Sequence, residues 1–468
     1  MELTMSSAIW NVFLDISIMA VFLMIAKLMR TKIKIIQKLL IPPALLAGFM
    51  VLALGPRGWG LVPISEGIGT YAAVLIVFIF AATPIGDRPN KEAVSGPVIG
   101  GMFFNITGIC VLQYAVGMLV TVYGLVHIFP ELPEQFGLLM ATGFYGGHGT
   151  AVAVGNALEE LGVSNMTDLA NTFATLGIVG GILIGMIIIN WGTRKGYTHY
   201  VDDPKDLPEE FRTGLIPVDK QKSSGRITIS SISIDPMAFH LSLVLIASII
   251  GYYITQYFKK FSSSLGYKVS IPVFCTALLG GYIVNKTLNK TGAYKYTDRN
   301  SIRRVQGTST DFLMISGIGS LNLAVVLDYA VPIIILTVIG FAITWFWFLF
   351  VGTKTSPFDW FERNMMCWGH ATGVVASGVL LSRTVDPNME SRSIEDTGLS
   401  DLYNRPLIIG LQVIPPIIMS LMPSLGGHIV AWGILAVVGI MWISAYILKW
   451  WVPSREVKKY RNVEKKSA

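Results

Sequence analysis

The sequence predicts an all-α polytopic membrane protein: two inverted five-helix repeats, each with a re-entrant Gly-rich loop, followed by an extra C-terminal helix. Three observations carry that expectation. Of 468 residues, 52% are hydrophobic and only 14% charged, with a mean hydropathy of +0.58, whereas soluble domains carry roughly 25% charged residues. Apolar runs recur along the whole chain, and about 20 such residues cross a bilayer core of about 30 Å. Two Gly-His segments, one in each half, resemble each other.

Residues 8–30 form the first run. Glu2 stands where a signal peptide carries basic residues, and Lys27 and Arg30 follow the run, so it reads as a span and not a cleaved leader. Runs at 39–55, 69–86 and 97–126 come next, then the Gly-rich segment 136–158 and a run at 169–191. A polar stretch, 193–235, precedes runs at 237–258, 271–288, 311–327 and 329–351, the Gly-rich segment 365–381, and runs at 406–421 and 429–451. With both Gly-rich segments entering and leaving on one side, eleven segments span. The expected organisation is a first repeat over 1–192, a cytoplasmic linker over 193–236, a second repeat over 237–425, and an extra helix with a basic tail over 426–468.

Orientation follows from the basic residues. With the N-terminus outside and the C-terminus cytoplasmic, all but four of the 36 Lys and Arg fall on the inner side; Arg57, Lys259, Lys260 and Lys268 are the exceptions. The net charge of +7 therefore reflects the inner membrane face and calls for no nucleic acid. If both Gly-rich segments crossed, the basic stretch 286–304 would face outside, so 136–158 should enter from outside and 365–381 from the cytoplasm. Cys110, Cys275 and Cys367 lie in apolar segments and imply no disulfide framework.

The halves share landmarks. Each has an Ile-Pro helix start, Ile41-Pro42 and Ile271-Pro272, where Pro suits a first turn whose N–H is unpaired anyway. Each has a span ending in Ile-Gly, Ile85-Gly86 and Ile318-Gly319, then a helix near Pro97 or Pro332. Residues 147–158 laid on 369–380 without gaps agree at five of twelve positions. Five spans before the linker invert the second half, and inverted repeats with broken helices at mid-depth are the architecture of secondary transporters. Duplicated halves also occur in channels.

Gly143, Gly146, Gly147 and Gly149 surround His148, and Gly369, Gly373 and Gly378 surround His370. Glycine costs a helix about 1 kcal/mol relative to Ala, so such clusters break it. Irregular backbone at membrane depth survives only where protein buries it or it lines a watery cavity. There it presents N–H groups to carboxylates and carbonyls to cations. The candidate substrate-binding residues are Gly146, Gly147, His148, Gly149, Thr150, Gly369, His370, Thr372, Gly373 and Arg383, whose guanidinium suits a carboxylate. The candidate sodium ligands are Thr150, Asn156, Asn171, Thr175, Thr372 and Ser377, all bearing hard oxygens. The same glycines also suit tight helix packing, and each histidine can simply tie down its own loop. Zinc is not expected, since a site wants three or four protein ligands. Asp15 is an intramembrane carboxylate or a hydrated helix end, and Asp311 and Asp328 should bracket the eighth span.

The segment Gly143-Phe144-Tyr145-Gly146-Gly147-His148-Gly149-Thr150-Ala151, with Leu158-Glu159-Glu160-Leu161-Gly162 and Ala174-Thr175-Leu176-Gly177-Ile178-Val179-Gly180-Gly181, resembles the bacterial sodium/glutamate symporter family. So do Gly369-His370-Ala371-Thr372-Gly373 and Arg383-Thr384-Val385-Asp386-Pro387. The resemblance implies an inner-membrane carrier coupling sodium influx to uptake of glutamate or a similar acidic amino acid, with sodium as coupling ion and no cofactor. It implies two inverted halves whose re-entrant loops carry Gly-Gly-x-Gly, here Gly146-Gly147-His148-Gly149, and, from the related sodium/citrate carriers, a homodimer with elevator-like sliding. Ala371 departs from that pattern, as do the polar segment 384–403 and the eleventh span. Proton coupling, another carboxylate substrate and a passive channel are the alternatives; an enzyme is not expected.

Overall fold

The computed structural model describes residues 5–38, 41–86, 96–201, 209–221, 223–264, 273–356, 359–386, 390–422 and 425–451. Lys268, Ile271-Pro272, Pro387 and the basic tail lie outside them, as does the side chain of Cys275. All regular structure among the described residues is helical. The chain is an all-α polytopic membrane protein: eight of the described helices are long and apolar enough to cross a bilayer.

The principal helices are α1 Met5–Lys32, α2 Pro43–Leu54, α3 Gly69–Gly86, α4 Gly96–Val120, α5 Phe136–Glu160, α6 Met166–Lys195 and α7 Pro236–Ser264. They continue with α8 Val273–Thr291, α9 Arg299–Gly319, α10 Ala330–Trp347, α11 Trp360–Ala371, α12 Val375–Val385, α13 Ser393–Leu421 and α14 Gly426–Ile447. A single π-helical turn extends α4 (Thr121–Leu125) and another extends α10 (Phe348–Gly352), so both halves carry the same irregularity just before their Gly-rich segments.

Three expected segments take a different form. The run 39–55 yields only the twelve residues of α2, about 18 Å long, because Pro42 and Pro43 lack the N–H groups that a backward extension needs and Gly55 leaves the helical region. The run 311–327 is displaced: α9 begins at Arg299, capped by Asp298 Oδ2 accepting from Ser301 N at 2.9 Å, and ends at Gly319. Asp311 therefore sits inside a helix instead of at its end, and only Asp328 closes one, the short helix Leu323–Asp328 capped by Asn322. Apolar counting missed the start of α9 because that half is amphipathic. The polar segment 384–403 is in large part helical and buried among the described residues. Helix α13 starts at Ser393, and Ser393, Asp396, Thr397 and Ser400 are buried.

The helices pack in two groups that cut across the sequence halves. The first three helices of each half, α1–α3 and α7–α9, pack chiefly on one another; α4–α6 and α10–α14 form the second group. Small residues permit close approach within the first group, Gly251 against Ala277 and Gly280 against Ala247. Between the groups, α3 and α9 meet α5 through an apolar seam of Ile76, Val152, Ala153 and Leu313. Asp15 is buried where α1 meets this frame, accepting from Ser65 N and Tyr71 Oη, each at 2.8 Å. It is a structural tie between α1 and the chain leading into α3.

Candidate functional site

The site is built on two hairpins that approach along α6 from opposite ends. The first is α5, which turns at Gly147 (φ 60°, ψ −163°), a conformation essentially reserved for glycine. Its ends lie together, since Leu132, Pro133, Glu134, Gln135 and Leu161 line one cavity. They sit at the start of α6, where Glu159 Oε1 accepts from Thr167 N at 2.9 Å. Within this hairpin Gly143 packs against Phe173 and Ala174, and Gly155 against Thr167.

The second hairpin is α11 and α12, with 372–374 as its turn. Gly369 lies against Ser377 and Gly378, which lets the arms close on each other. Its base sits at the other end of α6: His199 N donates to Glu362 Oε1 at 2.7 Å. Burial pushes the Tyr200 phenol up, and the carboxylates Asp359, Asp386 and Glu362 around it add to the shift. Glycines of α6 spaced at helical turns receive this hairpin. Gly177 and Gly181 face Thr372, Gly185 faces Leu381 and Gly192 faces Phe361, while Trp368 Nε1 donates to Gly181 O at 2.9 Å.

The two turns meet. A Cβ built on Gly147 would collide with Val374 Cγ1 and lie 3.4 Å from Gly373 O. Around this junction are Gly146, Gly149 and Thr150, with Thr150 packed over Gly146, and Thr372, Gly373 and Ser377 on the other side. His148 Nε2 is 2.9 Å from Thr175 Oγ1, which donates to Asn171 O at 3.0 Å. The amide of Asn171 and the Nδ1 of His148 are buried with no hydrogen-bond partner among the described residues. Unmade hydrogen bonds of this kind cost about 1–3 kcal/mol each. Gly317 of α9 lies beside both side chains, its missing Cβ 3.5 Å from Asn171 Oδ1.

Not every candidate lies at the junction. Asn156 is nine residues past Gly147, about 14 Å of helical rise away, and its Oδ1 accepts from Thr167 Oγ1 at 2.8 Å. Arg383 is in the last turn of α12, at the hairpin's base.

Sequence reasoning passed over several residues that the fold brings in. Tyr145 stacks on His370 with ring centroids 4.5 Å apart, and its hydroxyl accepts from Asn404 Nδ2 at 3.1 Å. Asn404 Nδ2 also lies 3.2 Å from Asp401 Oδ1, which stands 3.9 Å from His370 Nδ1. Arg363 pairs with Asp396 at 2.7 Å and donates to Ser391 O at 3.0 Å. Gln113 Nε2 donates to Ala371 O at 2.9 Å, holding the second hairpin near its turn. A polar residue in a strongly apolar helix, as Gln113 is, was the one available signal.

Residues 9–377 match the family described as sodium/glutamate symporter. The sodium/glutamate symporters of Escherichia coli (strain K12) and Shigella flexneri are each 24% identical to this chain over 268 residues, which is 57% of it and 61% of their own length. The aligned part thus spans about three fifths of these curated relatives. Among solved structures, the sodium proton antiporter MjNhaP1 from Methanocaldococcus jannaschii covers 90% of this chain and 99% of its own at 13% identity, with a TM-score of 0.35, a likeness that carries no argument.

Proposed function

Since the chain belongs to the sodium/glutamate symporter family, we propose that it is a secondary active transporter that uses sodium influx to take up glutamate or a similar acidic amino acid. The observation that carries the reading is the meeting of two opposed hairpin turns, Gly147 against Gly373 and Val374, beside the amide of Asn171, which has no partner among the described residues. Sodium is received by oxygens: Asn171 Oδ1, the Thr175 and Thr150 hydroxyls, and carbonyls at the turns. Its charge then offsets a substrate carboxylate, which the N–H groups opening α12 and the Thr372 and Ser377 hydroxyls receive. A desolvated double anion is costly to bury without that cation, so coupling follows from electrostatics. His148 and His370 position the turns, through Thr175 and Tyr145 respectively.

Alternating access proceeds by sliding of the group that holds the hairpins against the frame of α1–α3 and α7–α9. The apolar seam of Ile76, Val152, Ala153 and Leu313 supports this elevator-like motion, because these side chains make no directional bond that sliding must break. The halves over 1–192 and 237–425 are inverted repeats joined by a cytoplasmic linker, and the matching π-helical turns support that duplication. The carrier works as a homodimer in the inner membrane, N-terminus outside and C-terminus cytoplasmic, and performs no enzymatic chemistry. A second reading, proton coupling, is favoured by the pairing of His370 with Asp401 across 3.9 Å.

Uptake of labelled glutamate into proteoliposomes tests the proposal. Uptake should require a sodium gradient and collapse when choline replaces sodium. Uptake driven by a pH gradient alone would replace sodium with protons, and non-saturable flux without counterflow would mean a channel.

A further inference from the structure

A second cavity, of about 410 Å³, lies between the two helix groups, beside the C-terminal parts of α5, α7 and α13. Its polar lining is sparse and mixed: Glu160, Lys259, Asn156, Gln412 and Ser263, set among apolar walls that include Phe274 and Ile76. Glu160 and Lys259 are exposed, so the two charges stand where solvent reaches them. Gln412 is different. It is only 4% exposed, lines the cavity, and its Oε1 has no hydrogen-bond partner among the described residues. An amide oxygen buried in that condition is costly unless something donates to it. The walls match an aliphatic stem, and the polar set carries the chemistry a zwitterion needs: acceptors on Gln412 and Glu160 for an α-ammonium, and a donor, Lys259, for a carboxylate. Ile76 closes the floor, and its Cδ1 fills the space beside Gly149, so one side chain separates this cavity from the hairpin junction. Gln412 lies beyond residue 377, outside the stretch that matches the family.

We infer that this cavity is an outer docking site for a zwitterionic amino acid, occupied before the substrate reaches the junction, with Gln412 reading the α-ammonium group. The inference deepens the symporter reading and rests on it for the direction of travel. Because sodium is assigned to the junction, docking here is independent of sodium.

The test uses the purified full-length chain and two probes, glutamate and glutarate, which lacks the ammonium. Equilibrium binding without sodium should show weak glutamate binding that Gln412→Leu weakens about tenfold. Gln412→Glu, which keeps an acceptor oxygen, should retain it. Lys259→Met, at an exposed position, should weaken both probes alike. In proteoliposomes Gln412→Leu should raise KM for glutamate with little change in kcat, leaving inhibition by glutarate unmoved. Sodium-free binding insensitive to Gln412 and Lys259, or a Gln412→Leu effect equal for both probes, overturns the docking site. Absence of sodium-driven uptake by the unaltered protein would instead overturn the transport reading, while Gln412-dependent binding would still stand.

Discussion

The two hairpins meet at their turns, but they differ there in backbone conformation and differ again at their bases. The first makes its turn on a single glycine with positive φ and is held along its length mainly by apolar and small-residue packing, Gly143 and Gly155 against α6 and Phe136 against Phe173. The second makes its turn without positive φ at Gly373, and charge ties down its base: Arg363 to Asp396, Glu362 to His199 N, and Asp386 to Ser391 N at 2.9 Å. Both hairpins bring a turn to one junction, and each is held in the way its own neighbours allow. The first hairpin depends on backbone conformation and fit, the second on a polar latch.

The largest effect should come from the turn itself. Gly147→Ala combines a conformation that costs about 1–3 kcal/mol for a residue with a Cβ with a collision against Val374. Transport should fall by roughly two orders of magnitude or more. Gly373→Ala meets Ile178 Cγ1 at 3.2 Å and Ser377 Oγ at 2.9 Å without backbone strain, so its loss should be less than about tenfold. Initial uptake rates from the two variants check the asymmetry; equal losses would show that both turns rest on fit alone.

The polar latch predicts a stability effect with no counterpart in the first hairpin. Arg363→Met leaves Asp396 buried and unpaired, which costs about 3–5 kcal/mol. Adding Asp396→Leu should recover most of that, because an apolar pair of similar volume replaces a desolvated ion pair at little cost. Unfolding in denaturant measures both. If the single variant is as stable as the unaltered chain, the second hairpin is not latched by this pair.

The contrast also explains what the sequence could disclose. Spans such as α1, α3, α4 and α6 were legible because burial in lipid demands long apolar runs, and the hairpins because glycine clusters break helices. The latch was not legible. Arg363 and Asp396 are 33 residues apart, and Tyr145 and Asn404 are 259 apart, so nothing local pairs them. Read alone, 384–403 is a polar segment, and nothing in it shows that Asp396 meets Arg363 in three dimensions. For the same reason Arg383 and Asn156, reasonable ligands by chemistry, stand about 14 Å along their helices from the junction. The segment 174–181 of α6 carries the family resemblance, but nothing in it shows that Gly177 and Gly181, with Gly185 and Gly192, form the groove that receives the second hairpin.

A smaller effect separates ligand binding from packing beside the first hairpin. Asn171→Leu removes an amide that no described residue satisfies. The sodium concentration for half-maximal uptake should rise roughly tenfold, about 1.4 kcal/mol, while stability stays level or increases, since an unsatisfied polar group leaves the core. A loss of stability without a change in sodium dependence would make Asn171 a packing residue and weaken the contrast with the second hairpin.

The smallest effect lies where neither hairpin reaches, and it calibrates the others. Asp298 caps α9 in the helical frame, and its own N–H donates to His240 Nε2 at 2.7 Å. Burial alone would raise its carboxyl, but the Ser301 backbone N–H and Arg226 prevail and hold it below the ordinary carboxylate value. Arg226 is 77% exposed, so that ion pair contributes little and the cap dominates. Asp298→Ala should cost about 1 kcal/mol, a typical N-cap loss, with sodium-driven uptake unchanged. Because folding lowers this pKa, the stabilisation is complete above the unfolded value of about 3.9 and disappears as the pH falls through the folded one. Stability curves of the variant and the unaltered protein should therefore run parallel near neutrality and merge in acid. A transport defect in this variant would mean that the frame does not merely hold still while the hairpins move, and the division of labour between the two helix groups would have to be redrawn.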